Sequence, residues 1–275
     1  MVMRRKTTVG VIFGGRSVEH DVSIVTAQQI MDAFDADHYD VVAIYIDRAG
    51  KWYTGAPLRT LKNFQDDAVA SMEGIEDVIL SPDVRHHGLI RNPLAGRFQK
   101  SAIIRLDVVF PAVHGSHGED GTLQGLFELA DIPYVGFATC GSALTNDKIL
   151  TKQILQQNAI SVVPGITVHR DEWLQHPQAI SERIVAELKF PVFVKPATLG
   201  SSIGVSRADS AEMLEMSLNM AVNFDRRVLV EQAVVGGIEI NCAVMGYGAD
   251  VQISVLEQPL SWSDFLAFED KYLRG

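Results

Sequence analysis

Lys195 follows the apolar run "PVFV". After it come Pro196 and "ATLGSSIG", a stretch of small and hydroxyl side chains bounded by Gly200 and Gly204. An ammonium beside such a loop suits a phosphate. Lysine is a compact point charge, successive backbone N–H groups in a glycine-bounded loop can form an anion-binding nest, and Ser201 and Ser202 add hydroxyl donors. A lone lysine at a strand end has a plainer use as a snorkelling edge residue. No GxxxxGK[ST] run occurs in the chain, so the loop is not a Walker A motif.

Three further stretches carry chemistry-bearing residues. In "VFPAVHGSHGEDGTLQG" a strand ends at His114 and a glycine-rich loop leads into a helix. His114, His117, Glu119 and Asp120 have no zinc-type spacing, and the glycines point to a shaped loop with Asp120 or Thr122 capping the helix. In "FGGRSVEHDVS" a strand, a glycine turn and a helix start place Glu19 in a first turn, with Ser17 as N-cap. Glu19 can serve the helix dipole alone or hold an amine. In "VLVEQAVVGGIEINCAV" Glu231 ends a strand and Glu239 follows across "VVGG". Carboxylates there are commonly solvated; a nucleotide would give one an adenine edge and the other a ribose.

The elements that position these residues follow from hydrophobic period. "TVGVIFGG" and "YDVVAIYID" are continuous apolar runs, as strands covered on both faces are. Between them "SVEHDVSIVTAQQIMDAF" has helical spacing, with Val22, Val25, Ile30 and Phe34 on its stripe. "LDVVFPAVHG", "EDGTLQGLFELAD" and "IPYVGF" continue the alternation of strand and helix, which predicts an α/β domain with a mostly parallel sheet. Residues 54–101 mix turn formers with short apolar pieces and are assigned loops and short strands. From "TCGSALTNDKILTKQILQQNAI", read as one long helix, the pattern changes near residue 140 to α+β. "RVLVEQAVVGGIEINCAVMGYG" and "ADVQISVLEQPL" alternate as half-buried antiparallel strands do.

Composition narrows the function classes. The net charge of −10 disfavours a nucleic-acid partner, which would want a basic face. No run approaches a membrane span, and the short apolar stretch after the N-terminal basic cluster is a first strand and not a signal segment. Two cysteines, Cys140 and Cys242, make no disulfide framework; both are expected to be small buried hydrophobes in a cytoplasmic protein.

Four segments in order, "GVIFGGRSVEHDVS", "VFPAVHGSHGEDGTLQGLFELADIPYVG…SALTNDK", "FPVFVKPATLGSSIGVS" and "VLVEQAVVGGIEINCAV", resemble the D-alanine–D-alanine ligases of the ATP-grasp superfamily. The resemblance covers the chain apart from roughly residues 50–100. It implies an N-terminal α/β substrate domain over 1–140, a central ATP-grasp subdomain over 141–233, and the start of a C-terminal ATP-grasp domain over 234–275. It implies ATP-dependent joining of two D-alanines through an acyl phosphate, for peptidoglycan synthesis. By the same resemblance Glu19 anchors the amine of the first D-alanine, with His114 and Ser201 near the substrates. Lys148 and Lys195 hold ATP phosphates under a loop containing Gly200, Ser201 and Ser202. Glu231, Gln232, Ala233 and Val234 form the adenine hinge, and Glu239 meets the ribose. Lys271 faces the γ-phosphate, and Tyr272 joins Ser201 and Glu19 at the reacting centre. The cofactors implied are ATP and Mg²⁺ or Mn²⁺, and the partner implied is a second copy of the chain.

The sequence departs from the family pattern in three places. The family's metal ligands are expected beyond residue 275, so no residue here is assigned to metal. The Glu231–Glu239 spacing is one residue longer than usual. Leu266 and Phe268 stand where the family's mobile loop often has tyrosine, which leaves the second substrate open between D-alanine, D-lactate and D-serine. A reading of another class is a short nucleotide-binding protein without catalysis.

Overall fold

The structure is a computed structural model and describes residues 5–65, 68–93 and 102–259. It divides into two compact units, Met1–Thr151 and Lys152–Gly275.

The first unit is built on a seven-stranded sheet of order β6-β5-β4-β3-β2-β1-β7. Its centre is parallel: β1 (Thr7–Gly14) lies between β2 (Tyr39–Ile46) and β7 (Val108–Pro111). The apolar runs of β1 and β2 pair in parallel and are covered on both faces. On one face Val9, Val11 and Phe13 pack with Ile24, Ala27 and Met31 of α1 (His20–Ala33). On the other, Ile12 and Ile44 pack with Leu123, Phe127 and Ala130 of α2 (Thr122–Ala130). This is the α/β architecture expected, extended by an antiparallel ribbon of β3 (Trp52–Thr54), β4 (Glu76–Leu80), β5 (Gly88–Arg91) and β6 (Ala102–Arg105). The ribbon runs through the stretch whose turn-rich sequence hid its pairing.

Four local expectations are corrected. The buried stripe of α1 is His20, Ile24, Ala27 and Met31, while Val25 is exposed, because the small Ser23 and Ala27 are the residues that let the helix approach the sheet. Ser17 does not cap α1: Glu19 occupies the N-cap position, and the Ser17 Oγ accepts the Glu19 N–H at 3.1 Å. The long helix is two, α3 (Thr139–Asn146) and α4 (Lys148–Gln157). Asp147 between them is extended, and its Oδ1 accepts the N–H groups of Ile149 and Leu150 at 3.0 Å, which ends one helix and caps the next. Both cysteines are exposed, Cys140 at the outer start of α3 and Cys242 in the last described segment.

The second unit holds a four-stranded antiparallel sheet of order β10-β9-β11-β8. These strands are β8 (Gly165–His169), β9 (Val192–Pro196), β10 (Ser206–Ala208) and β11 (Arg227–Gln232). Between α4 and β9 also lie α5 (Arg170–Gln175) and α6 (Pro177–Glu187). One face of the sheet packs Val168, Val192, Val194, Val228 and Val230 against Ile184 of α6 and Leu214, Leu218 and Ala221 of α7 (Ala211–Phe224). Trp173 of α5 is buried in the same core and donates its Nε1–H to Asn219 Oδ1 at 2.9 Å. Residues 234–258 are exposed throughout; within them β12 (Val244–Met245) pairs with β13 (Gln252–Ile253), and Asn241 and Glu257 exchange backbone hydrogen bonds as an isolated antiparallel bridge. The half-burial expected of this alternating sequence is absent because no layer in the described residues covers its apolar positions.

Candidate active site

In the first unit the site residues gather at the carboxyl ends of the parallel strands, where open α/β sheets present their loops. The turn after β1 is tied down from below. Ser23 Oγ accepts the Gly14 N–H at 2.8 Å and donates to the Ala112 carbonyl at 2.7 Å. The buried His20 ring meets the Gly15 carbonyl through Nδ1 at 2.7 Å and the Tyr45 hydroxyl through Nε2 at 3.0 Å. The next residue back is Glu19, 3% exposed, so its carboxylate is held inside the loop cluster and is not a solvated dipole partner. His114 leaves the end of β7 and reaches Thr26 of α1, Nε2 to Oγ1 at 3.0 Å. Gly115 joins the two. It has φ +69°, and a Cβ there would stand 2.2 Å from Glu19 Oε2 and 2.8 Å from Ser17 Oγ. Glu19 and His114, expected at one substrate, are therefore brought to one loop cluster.

The histidine- and acid-rich loop that follows bonds to itself. The Gly115 N–H donates to Glu119 Oε2 at 2.8 Å, and the His117 N–H and Thr122 N–H donate to the Asp120 carboxylate at 2.8 and 3.0 Å. Burial raises the Asp120 carboxyl, but the Thr122 hydroxyl and these two amides outweigh it and hold the group below its ordinary value. Among the described residues no cluster of three or more His, Cys, Asp or Glu could hold a metal ion. A separate cavity of about 350 Å³ opens beside this loop, lined by Arg16, Trp52, His117 and Thr122 among others; Glu19 and His114 are not in its wall. Lys148 is the first residue of α4 and the last predicted site residue of this unit.

In the second unit Lys195 lies on β9 and Glu231 on the neighbouring β11, and Lys195 Nζ meets Glu231 Oε2 at 2.5 Å. Lys152 of α4 takes Oε1 of the same carboxylate and also donates to the Val163 carbonyl. Burial pushes the Glu231 carboxyl up; the Lys195 charge and the hydrogen bonds from both lysines outweigh it, so the group sits below the usual carboxylate range. The strand also delivers the first residues expected to form a hinge: Ala233 donates to the Pro191 carbonyl at 2.9 Å and Gln232 to that of Pro164 at 3.0 Å. Val234 and Glu239 fall in the exposed stretch beyond, and there Glu239 is not brought to Glu231 by any strand.

The loop after Lys195 is anchored at its base. Asp225 Oδ2 accepts the Thr198 N–H and hydroxyl at 2.9 and 2.8 Å, while its Oδ1 accepts the Arg227 N–H at 3.0 Å. Ser201 and Ser202 are both left-handed, at φ 47° and 61°, and the turn closes through Ile203 N–H to Gly200 O and Val205 N–H to Ser202 O. Two consecutive non-glycine residues in this region carry strain of the order of 1 kcal/mol each, which tertiary context must hold. Gly204, at φ +69°, lets the loop return against Pro196 and Phe224.

A family profile described as D-ala D-ala ligase N-terminus matches residues 8–137, and one described as D-ala D-ala ligase C-terminus matches residues 154–275. The chain belongs to the D-alanine–D-alanine ligase family. It is 37% identical over 272 residues to the D-alanine–D-alanine ligase of Chlorobium limicola, covering 98% of this chain and 73% of that protein. It is also 37% identical to D-alanine–D-alanine ligase A of Escherichia coli K12, covering 98% and 71%. Among solved structures, VanG D-Ala:D-Ser ligase from Enterococcus faecalis aligns with a TM-score of 0.81 at 31% identity, over 98% of this chain and 74% of that one. The D-alanine–D-alanine ligase of Coxiella burnetii aligns at 0.79 and 31% identity, over 92% and 71%.

Two residues, one in each unit, contact candidate site residues without a sequence motif to mark them. Thr26, which holds His114, looks like an ordinary helix residue. Lys152 stands four residues after Lys148 on one helix face, and that spacing was the available signal. Lys271 and Tyr272 lie outside the described residues.

Proposed function

We propose that the chain joins two D-alanines at the expense of ATP to make the dipeptide of peptidoglycan precursors. A carboxylate oxygen of the first D-alanine attacks the γ-phosphorus of ATP, and the bond to the bridging oxygen of ADP breaks. The amine of the second D-alanine then attacks the acyl carbon, loses a proton and expels phosphate. The observation that supports this most is Lys195 at the foot of a doubly left-handed serine turn, beside a carboxylate at the start of the hinge. Phosphoryl transfer is chiefly positioning and charge neutralisation, and these parts serve both.

In this reading Lys195 and Lys148 take phosphate oxygens, and the loop through Gly200, Ser201 and Ser202 folds over them. Glu231, Gln232, Ala233 and Val234 hold adenine and Glu239 the ribose. Glu19 receives the ammonium of the first D-alanine, as a buried carboxylate in a glycine-shaped loop can. His114 lies beside it, and Ser201 and Tyr272 join Glu19 at the reacting centre, with Lys271 at the γ-phosphate. The family's divalent cation is taken as Mg²⁺, with Mn²⁺ as a substitute. The described residues offer no cluster of three or more His, Cys, Asp or Glu to hold it. A homodimer in the cytoplasm, divided as 1–140, 141–233 and 234–275, completes the reading. The described residues include no helix long and apolar enough to cross a membrane.

A D-alanine–D-serine ligase is the second reading, favoured by the likeness to the VanG structure. Phosphate release with ATP and D-alanine, alone and with D-serine or D-lactate added, separates the two. A dipeptide product from D-alanine alone supports the first reading, and a mixed product in preference to it supports the second.

A further inference from the structure

Lys152 has no part in the reading above, yet it is bound more firmly than Lys195. Its side chain is 15% exposed against 28% for Lys195, and it has two hydrogen-bond anchors, Glu231 Oε1 and the Val163 carbonyl, where Lys195 has one among the described residues, Glu231 Oε2, and a weaker contact with the Phe193 ring at 5.6 Å. Glu231 is 13% exposed and carries one ammonium on each oxygen. The site as it stands is a cation–carboxylate–cation bridge. A triphosphate competes for the cation with less to hold it, which is Lys195. When Lys195 turns to phosphate, Glu231 keeps only Lys152.

We propose that Lys152 is a positioning residue for nucleotide, holding Glu231 ionised and aimed while Lys195 exchanges that carboxylate for phosphate. The proposal rests on the reading that Lys195 binds ATP phosphate. Among the described residues, the charged groups facing Glu231 are Lys195 from β9 and Lys152 from α4. Its partner across β8 is Gly165 and its partner across β9 is Phe193. Without Lys152, departure of Lys195 would strand a carboxylate that burial already disfavours, and the group would answer by binding a proton. Binding that takes up a proton weakens as pH rises, by linkage. The loss in a Lys152 variant is thus greater at pH 8 than at pH 6.5.

The test is calorimetric titration of ATP into the wild-type chain, Lys152→Met, Lys152→Arg and Lys195→Ala. It is run at pH 7 in two buffers of different ionisation enthalpy. ATP's own proton balance is common to all and cancels. The expected result for Lys152→Met is a Kd weakened about tenfold, the equivalent of one pKa unit, with proton uptake above that of wild type. Lys152→Arg should restore most of the affinity, and D-alanine binding should be unchanged. Where Lys152→Met does not fold, Glu231→Gln with Lys152→Met removes both charges together. Its affinity should match Glu231→Gln alone, since Lys152 acts only through Glu231. Wild-type affinity and proton balance in Lys152→Met, with binding lost in Lys195→Ala, overturns the proposal. Wild-type affinity in Lys195→Ala overturns the phosphate reading beneath it.

Discussion

Glu231→Gln isolates the electrostatics of the bridge, because glutamine keeps the shape and removes the charge. In the wild-type chain one carboxylate separates Lys195 from Lys152. In the variant the two ammoniums face each other; at about 6 Å, with an effective dielectric near 20, two unit charges repel by about 3 kcal/mol. Lys195 is 28% exposed and can swing toward water, so about 1–2 kcal/mol of this should remain as lost stability. The sign with pH is fixed. Glu231 titrates below its ordinary 4.5 in the folded chain, so its contribution is present above that value and is lost as pH falls through the folded value. Urea denaturation at neutral pH should show the full gap between wild type and variant, and the gap should close in acid as the wild-type carboxylate protonates. A variant as stable as wild type at pH 7, or a gap that stays constant into acid, would refute the reasoning.

Other perturbations probe the rest of the site. Gly115→Ala places a Cβ within 2.2 Å of Glu19 Oε2 in a left-handed backbone, so D-alanine KM should rise at least tenfold in steady-state assays, about 1.4 kcal/mol of lost binding, with ATP KM little changed. Thr26→Val removes the Nε2 partner of His114, leaving Glu119 beside Nδ1, and should raise D-alanine KM several-fold while thermal melts show about 1 kcal/mol of lost stability. Gly204→Ala drives a methyl to 2.8 Å from Pro196 Cγ and 3.0 Å from Phe224 Cδ2; thermal melts should show about 1–3 kcal/mol of destabilisation, with ATP KM raised. Tyr134 is pushed up to about 12, first by burial and then by the Glu128 carboxylate that accepts its hydroxyl at 2.7 Å. Ultraviolet difference titration should find one tyrosine ionising there, and Glu128→Gln should bring it down.

What was legible in the sequence was local. Lys195 could be read because a strand, a proline and a glycine-bounded hydroxyl loop lie side by side in the chain, and Glu19 because a glycine turn precedes it. Lys152 carries only its four-residue spacing from Lys148, since its partner lies 79 residues away and a lysine on a polar helix face looks solvated. Asp147 looked like one more polar residue of a long helix, and its extended backbone and two accepted N–H groups reveal a break. The ribbon β3–β6 was hidden because strands of three to five residues leave too few alternations to establish a period. Residues 234–258 show the opposite failure. Their alternation is real, but burial depends on a covering layer that period alone does not specify.

The central claim is that Lys195 and its loop grip ATP for the activation of D-alanine. The most direct measurement is phosphate release by the purified 275-residue chain with ATP, Mg²⁺ and D-alanine, beside Lys195→Ala. The account predicts release that requires D-alanine and is lost in the variant. Release that ignores D-alanine, or that survives intact without Lys195, would contradict it.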